Sequence, residues 1–312
     1  MTRYLIAGAG GMLGRDLQAA LVARGAVVAP HSKGAPRATG GGEISPDTVT
    51  ALTRAELDIA DREAVLRAAE GADVIVNAAA YTKVDDAETH ETDAFAVNAT
   101  GAGNLAVAAR ENGAAIIQVS TDYVFDGRAT TPYAEDSPRN PVSAYGRSKA
   151  EGELEVLGEH PLGAYVVRSA WLCGEHGPNF ARTMLRLIGE RETVSVVTDQ
   201  HGQPTFTADL AAHLLLLVER EAPVGIYHGT NSGEASWFDF TQALFIEAGI
   251  DAARVMPTDS SQFVRPATRP QYSVLGHDAW SRAGIEPMRS WQVALHEATQ
   301  SGVFGDRWQR FG

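Results

Sequence analysis

Tyr145 and Lys149 stand four residues apart in Ser143-Ala144-Tyr145-Gly146-Arg147-Ser148-Lys149. On a helix that spacing puts both side chains on one face, with Cβ atoms about 5–6 Å apart. A free phenol has a pKa of about 10. A neighbouring ammonium lowers it towards the range where proton transfer near neutrality is efficient. The pattern therefore predicts an acidified tyrosine, with Ser143 capping its helix. The plain alternative is a tyrosine lying on a lysine stem at a helix surface. Upstream, the apolar run 116–119 ends in Ser120-Thr121-Asp122-Tyr123. A hydroxyl at the carboxyl end of a strand can donate to a carbonyl oxygen as charge develops there, although Ser, Thr and Asp also begin turns. Asn98 precedes that strand in a helical stretch. It is expected either to hold a water near Lys149 or to be a satisfied core amide.

These groups need a partner with redox chemistry, and the N-terminus offers a place for one. Gly8-Ala9-Gly10-Gly11-Met12-Leu13-Gly14 follows directly on an apolar run and opens an apolar-periodic helix. Glycines spaced in this way allow a tight turn, a close approach of backbone N–H groups to a pyrophosphate, and close helix–strand packing. The helix N-terminus then faces the phosphate charge. A dinucleotide site is expected here, although any sharp strand-to-helix turn uses glycine. Where NAD-binding chains carry an acid after the second strand, this one reads Ala29-Pro30-His31-Ser32-Lys33. Lys33 and Arg37 suit a 2′-phosphate, which favours NADP; the alternative is a pair of solvated loop charges. Asp58-Ile59 and Asn77-Ala78-Ala79-Ala80 end two further expected strands, where small residues leave room for an adenosine on the sheet edge.

The elements that must position these residues alternate in type. Strands are expected at 4–7, 27–29, 56–59, 74–77, 115–119 and 165–168, with helices at 12–24, 62–69, 92–112 and 143–157. The Gly-, Pro- and Ser-rich stretch 30–53 reads as a long connection. Strands without polar alternation, separated by helices, imply a parallel sheet covered on both faces, a doubly wound α/β fold. Beyond Trp171 the regularity fades. Helices are expected at 180–188, 207–220, 237–247 and 291–301, and short strands at 194–197, 225–227 and 273–275. This gives a dinucleotide-binding domain over 1–172 plus about 206–232, and a smaller α/β substrate-binding domain over about 173–205 and 233–312.

Composition narrows the classes. The 312 residues are 44% hydrophobic and carry a formal charge of −13, so binding to phosphate backbones of nucleic acid is not expected. Cys173 is the sole cysteine, which excludes an internal disulfide and a cysteine metal cluster. The nine histidines have no ligand spacing, so no metal is predicted. The longest apolar run near a possible span is far short of the roughly 20 residues a bilayer needs, and no secretory signal is evident, so no membrane association and a cytoplasmic location are expected.

Longer stretches carry a resemblance. They are Val76-Asn77-Ala78-Ala79-Ala80-Tyr81-Thr82-Lys83-Val84-Asp85, Val97-Asn98-Ala99-Thr100, Val119-Ser120-Thr121-Asp122-Tyr123-Val124-Phe125-Asp126-Gly127, Tyr145 with Lys149, Arg168-Ser169-Ala170-Trp171, Asn179-Phe180-Ala181, Asp199-Gln200-His201-Gly202-Gln203-Pro204-Thr205 and Arg265-Pro266-Ala267-Thr268-Arg269-Pro270. In these the chain resembles the dTDP-4-dehydrorhamnose reductase family, in the nucleotide-sugar branch of the extended short-chain dehydrogenases/reductases. The resemblance implies a Rossmann fold and reduction of the 4-keto group of a dTDP-linked 4-keto-6-deoxy sugar with NADPH, NADH being possible. It makes Tyr145 the proton donor, Lys149 its tuner and a ribose ligand, and Thr121 a contact of the carbonyl oxygen. Gly8, Gly11, Met12, Leu13, Gly14, His31, Ser32, Lys33, Asp58, Ile59, Ala79, Ala80, Tyr81, Thr82, Asn98 and Val119, with Tyr145 and Lys149, would line the cofactor. Thr121, Asp122, Tyr123 and Trp171 would face the sugar or its carrier, and Arg265 and Arg269 the diphosphate.

The chain departs from the family pattern in two places. His31 replaces an acid, and Asp16 and Ala208 stand where some members bind Mg²⁺ through glutamates at a dimer interface; a monomer or a homodimer is expected. A dehydratase of the same branch would need Glu where this chain has Tyr123. Another deoxysugar 4-ketoreductase and a catalytically silent NADP-binding regulatory subunit are the alternatives.

Overall fold

The first strand, β1 (Arg3–Ala7), buries Tyr4, Leu5, Ile6 and Ala7, so both of its faces are covered. Helices above and below a parallel sheet provide that cover. The computed structural model describes residues 1–29 and 46–305. Among them β2 (Val27–Val28), β3 (Thr48–Leu52), β4 (Val74–Asn77), β5 (Ala115–Thr121), β6 (Ala164–Ser169) and β7 (Gly225–His228) join β1 in one sheet. The order is β7-β6-β5-β4-β1-β3-β2, and every pairing is parallel. All carboxyl ends therefore lie on one edge. From β1 the chain passes to the edge strand β2, returns to β3 beside β1, and then crosses to β4 on the other side, so the sheet switches direction between β1 and β4, where ligands of such sheets bind. This is the doubly wound α/β fold expected from the sequence.

Helix periodicity explains the cover. On one face Leu13, Leu17 and Leu21 of α1 (Met12–Ala23) mesh with Leu210, Leu214 and Leu217 of a helix at Thr207–Glu219. On the other, α2 (Arg62–Ala68), α4 (Ala102–Asn112) and α5 (Ala144–Glu159) contribute Val65, Leu105, Ala109 and Val156. Each fully buried Leu contributes about 1.5–3 kcal/mol. A further core lies apart from the sheet. It is built from α6 (Phe180–Glu190), α8 (Trp237–Glu247), α10 (Trp291–Gln300) and the parallel pair of Val194–Val197 with Val255–Thr258. Trp280 of α9 (Asp278–Arg282) packs instead in the sheet's own core, and its Nε1 donates to His228 O at 2.8 Å. α7 is the helix at Thr207–Glu219.

Four expectations need correction. The stretch 30–53 is not all connection, because β3 lies within it, directly beside β1. Residues 56–59 form no strand; Leu57 and Ile59 are buried from a loop, which produces the same alternation. The helix expected over 92–112 is α3 (Glu91–Phe95) and α4, joined by a π-type segment Ala96–Gly101. Residues 273–275 make an isolated bridge, Tyr133 with Leu275, rather than a strand.

Candidate active site

Local chemistry fixes the helix that carries the tyrosine. Ser143 caps α5, its hydroxyl accepting from Gly146 N at 3.1 Å, and Glu88 Oε1 accepts from Ala144 N at 2.8 Å. Gly146 lets the first turn press on the loop after β5, since a Cβ there would lie 2.3 Å from Tyr123 O. Gly152 does the same against the π segment, where a Cβ would meet Asn98 O at 2.0 Å. Tyr145, Lys149 and Glu153 follow one another at four-residue intervals along this helix, so they share a face.

That face meets the carboxyl end of β5. Lys149 is buried and its Nζ donates to Val119 O at 2.6 Å. Burial pushes the ammonium down to about 8, with Glu153 pulling it back up. Burial pushes the Tyr145 phenol up to about 12, and a hydrogen bond with Thr121 draws it back. The Asp122 charge acts in the same direction as burial, and Lys149 is not among the groups that move the phenol, which departs from the expectation that Lys149 acidifies Tyr145. A phenol of that kind holds its proton until an acceptor forms beside it. The ring of Tyr123 meets Tyr145 edge-on, at 5.5 Å between centroids, and burial with the Asp122 charge raises the Tyr123 phenol as well.

Thr121 is the junction. Its Oγ1 accepts from Tyr123 N at 3.2 Å and donates to Asp122 Oδ1 at 2.9 Å. Asp122 is buried, and desolvation lifts its carboxyl to about 6. Among the described residues its Oδ2 makes no hydrogen bond of normal geometry; Ser273 lies close enough to lower its pKa but donates to His201 O. Ser169, opposite Thr121 in the sheet, also carries a buried unpartnered hydroxyl. Two orphaned polar atoms at the ends of two paired strands mark a place suited to a ligand. Sequence reasoning assigned Ser169 no role.

Beneath this edge lies a charge cluster that sequence reasoning missed. Glu153 accepts from Arg168 Nε at 2.9 Å and Nη2 at 2.8 Å, from Ser120 Oγ at 2.6 Å and from Arg139 Nη1 at 3.1 Å. Arg168 also donates to Glu135 O at 3.0 Å and covers the Phe125 ring at 4.9 Å. The ends of β5, β6 and α5 are thereby locked together.

The glycine turn fits a dinucleotide. Gly8 has φ +82°, and a Cβ there would lie 2.5 Å from Ala79 N; one on Gly14 would lie 2.3 Å from Gly8 O. Gly11 caps α1 without a side-chain hydrogen bond and no acid stands in the first turn, so the amides around Met12 and Leu13 suit a phosphate. Gly8 N and Ala9 N both donate to Leu52 O at 3.0 Å, so the adjacent strand end is Leu52-Thr53-Arg54. The second-strand position was thus misread in sequence: the residues there are Thr53 and Arg54. His31, Ser32, Lys33 and Arg37 lie outside the described residues. Ala79, Ala80 and Tyr81 follow β4 and are partly exposed, while Thr82 is exposed. Asp58 is exposed and accepts from Ala60 N at 3.0 Å, whereas Ile59 is buried beneath Gly101. Asn98 is buried and bonded: Oδ1 accepts from Tyr81 N at 2.8 Å, and Nδ2 donates to Tyr81 O at 3.1 Å and Ser148 Oγ at 2.9 Å. It orders the Tyr81 loop, in keeping with the expectation of a satisfied core amide.

Trp171 adopts φ +46°, a strained value for a side-chain-bearing residue, and stacks on Trp237 at 3.5 Å between centroids. It leads from β6 into the second core and so stands over the strand ends. Arg265 and Arg269 lie together on a C-terminal loop, both beside Asp85.

Comparison with known proteins places this arrangement. Residues 2–303 match the family described as RmlD substrate binding domain. The chain is 46% identical over 302 residues to a dTDP-4-dehydrorhamnose reductase of Streptomyces griseus, covering 95% of this chain and 92% of that one. It is 44% identical over 298 residues to a dTDP-4-keto-6-deoxy-D-glucose reductase of Streptomyces niveus, covering 95% and 96%. The crystal structure of dTDP-4-dehydrorhamnose reductase from Bacillus anthracis in complex with NADP superposes with a TM-score of 0.84, at 35% identity and 95% and 98% coverage. The glycine turn, the Thr121–Tyr145–Lys149 grouping and this likeness along almost the whole chain agree: the chain belongs to the RmlD substrate binding domain family.

Proposed function

We propose that this chain is an NADPH-dependent oxidoreductase that reduces the 4-keto group of a dTDP-4-dehydro-6-deoxyhexose, with dTDP-4-dehydro-L-rhamnose as substrate and dTDP-L-rhamnose as product. The observation that carries the reading is the convergence of Thr121, Tyr145 and Lys149 on the carboxyl edge of the sheet that also carries the glycine turn. NADPH, when bound, supplies the hydride. Tyr145 gives the alkoxide oxygen its proton, Thr121 orients that oxygen, and Lys149, fixed on Val119 O, places positive charge behind the phenol and meets the cofactor ribose. The amides of Met12 and Leu13 hold the pyrophosphate, and Arg54, just after β3, takes the 2′-phosphate. Residues of about 173–205 and 233–312 form the sugar-binding unit, with Trp171, Tyr123 and Asp122 towards the sugar and Arg265 and Arg269 towards the diphosphate.

The similarity to the Streptomyces niveus reductase favours a second reading, reduction of a different dTDP-4-keto-6-deoxy sugar at the same site. Assays of NADPH oxidation across several dTDP-4-keto sugars, with product stereochemistry at C4 read by NMR, separate the two. Turnover fastest on dTDP-4-dehydro-L-rhamnose is the expected result. Binding of NADPH with no turnover on any of them would instead favour a silent regulatory subunit.

A further inference from the structure

Both arginines offered to the diphosphate are already engaged by one carboxylate of the chain. Arg269 Nη2 lies 2.9 Å from Asp85 Oδ2, and Arg265 Nη1 lies 4.0 Å from the same oxygen. Asp85 Oδ1 accepts from Ala267 N at 3.3 Å, and Arg269 Nη1 donates to Ala267 O at 3.1 Å. These arginines ride on a strap pinned at both ends. At one end Ser260 N donates to Asp199 Oδ2 at 3.0 Å. At the other Tyr272 N donates to Gly127 O at 3.0 Å, and Pro270 packs where a Cβ on Gly127 would come within 2.3 Å of it.

Between the pins residues 261–266 are open to solvent, with Val264 90% exposed, while Ala267 is buried. Among the described residues, every hydrogen bond and ion pair from 261–269 to the sheet half of the molecule ends on Asp85. The pair also stands close to the chemistry. The charges of Arg269 and Asp85 both act on the Tyr123 phenol, and that ring lies edge-on to Tyr145.

We propose that Asp85 is an internal counter-ion occupying the diphosphate subsite: it holds Arg265 and Arg269 in place, and an incoming nucleoside diphosphate displaces it. The inference rests on the reading of these arginines given above and adds a competitor to it. A carboxylate carries one charge, whereas a diphosphate carries at least two and presents two phosphates to two guanidiniums, each able to bind in a bidentate manner. Because the Asp85 pairs are partly exposed, they are weak. The exchange is therefore easily reversed, which suits a site that must release its product, and an anion of a single charge gains little by it.

The test is titration of the full chain, loaded with NADPH, by dTDP. In Asp85→Asn the affinity for dTDP is expected to rise by about three- to fivefold, the scale of a partly exposed ion pair; Asp85→Ser serves as a second variant should the first fold poorly. Arg269→Gln is expected to bind dTDP more weakly by about tenfold, and adding Asp85→Asn to a variant that carries both Arg265→Gln and Arg269→Gln, where no guanidinium remains to be released, should bring no gain, because neighbouring effects that share a partner are not additive. NADPH affinity and melting temperature report that each variant is folded. Normal loss in Arg269→Gln with no gain in Asp85→Asn overturns the counter-ion role alone. A gain that persists when both arginines are replaced also overturns it, since the effect is then general charge repulsion. Undiminished binding in Arg269→Gln overturns the assignment of the arginines and the counter-ion role with it.

Discussion

Burial, more than pairing, sets the acidity of the groups around Tyr145. The phenol lies at about 12 and the Lys149 ammonium at about 8, each moved towards its neutral form by desolvation. For a proton donor this is the useful direction, because the phenol stays loaded across the physiological range. Lys149 supplies positive charge only below about pH 8. The sign follows from that: its charge is present at low pH and lost as pH rises through the lowered value. Turnover of the keto sugar is accordingly expected to fall above about pH 8, approaching tenfold per unit. A pH profile of kcat checks this, and in Lys149→Arg, whose guanidinium stays charged, that limb should vanish from whatever activity remains. Asp122 and Ser169 show where residue-level reading stops. Their types are visible in sequence, but an orphaned oxygen is a property of packing.

At the scale of elements, close backbone contacts fix the geometry. Gly152 brings α5 against the π segment, and a Cβ there would meet backbone rather than a yielding side chain. Gly152→Ala is expected to destabilise the fold by about 1–3 kcal/mol, as overpacking does, measurable as a shift in the urea midpoint. The same substitution should weaken NADPH binding, because Asn98 of that segment orders the Tyr81 loop. Most elements were legible, since apolar periodicity marks α1, α2, β4 and α5 to within a few residues. β3 was not, because its five residues sit behind a Gly- and Pro-rich stretch and bury only Val49 and Leu52. Leu57 and Ile59 mimicked a strand because a loop can bury alternate residues over a helix. Reading the second strand at 27–29 and missing β3 placed the position proposed for the ribose at His31 rather than at Thr53-Arg54. With the register corrected, Arg54→Ala is expected to lower the preference for NADPH over NADH by about tenfold or more, read as the ratio of kcat/KM for the two cofactors. An unchanged ratio would remove Arg54 from the 2′-phosphate site.

At the scale of the whole molecule, the edge that carries the chemistry is also where the sheet half and the C-terminal core meet. Trp171 leaves β6 in a strained conformation and stacks on Trp237 of α8, and Arg168 locks β6 to α5 and to the loop at Glu135. A buried ion pair is costly to break on one side only. Arg168→Met is expected to destabilise the chain by about 3–5 kcal/mol, and Glu153→Leu added to it should restore much of the loss; calorimetric melting of the single and double variants checks both. None of this assembly is visible in composition, for it depends on which residues meet across tens of positions. What the assembly serves is one proton held beside one carbonyl. The most direct test is kcat for NADPH oxidation with dTDP-4-dehydro-L-rhamnose in wild type and in Tyr145→Phe, with NADPH affinity measured alongside. A fall in kcat of about 10²-fold or more at an NADPH affinity kept within about twofold is the expected result, and a Tyr145→Phe enzyme that turns over at the wild-type rate would contradict the assignment of the proton donor.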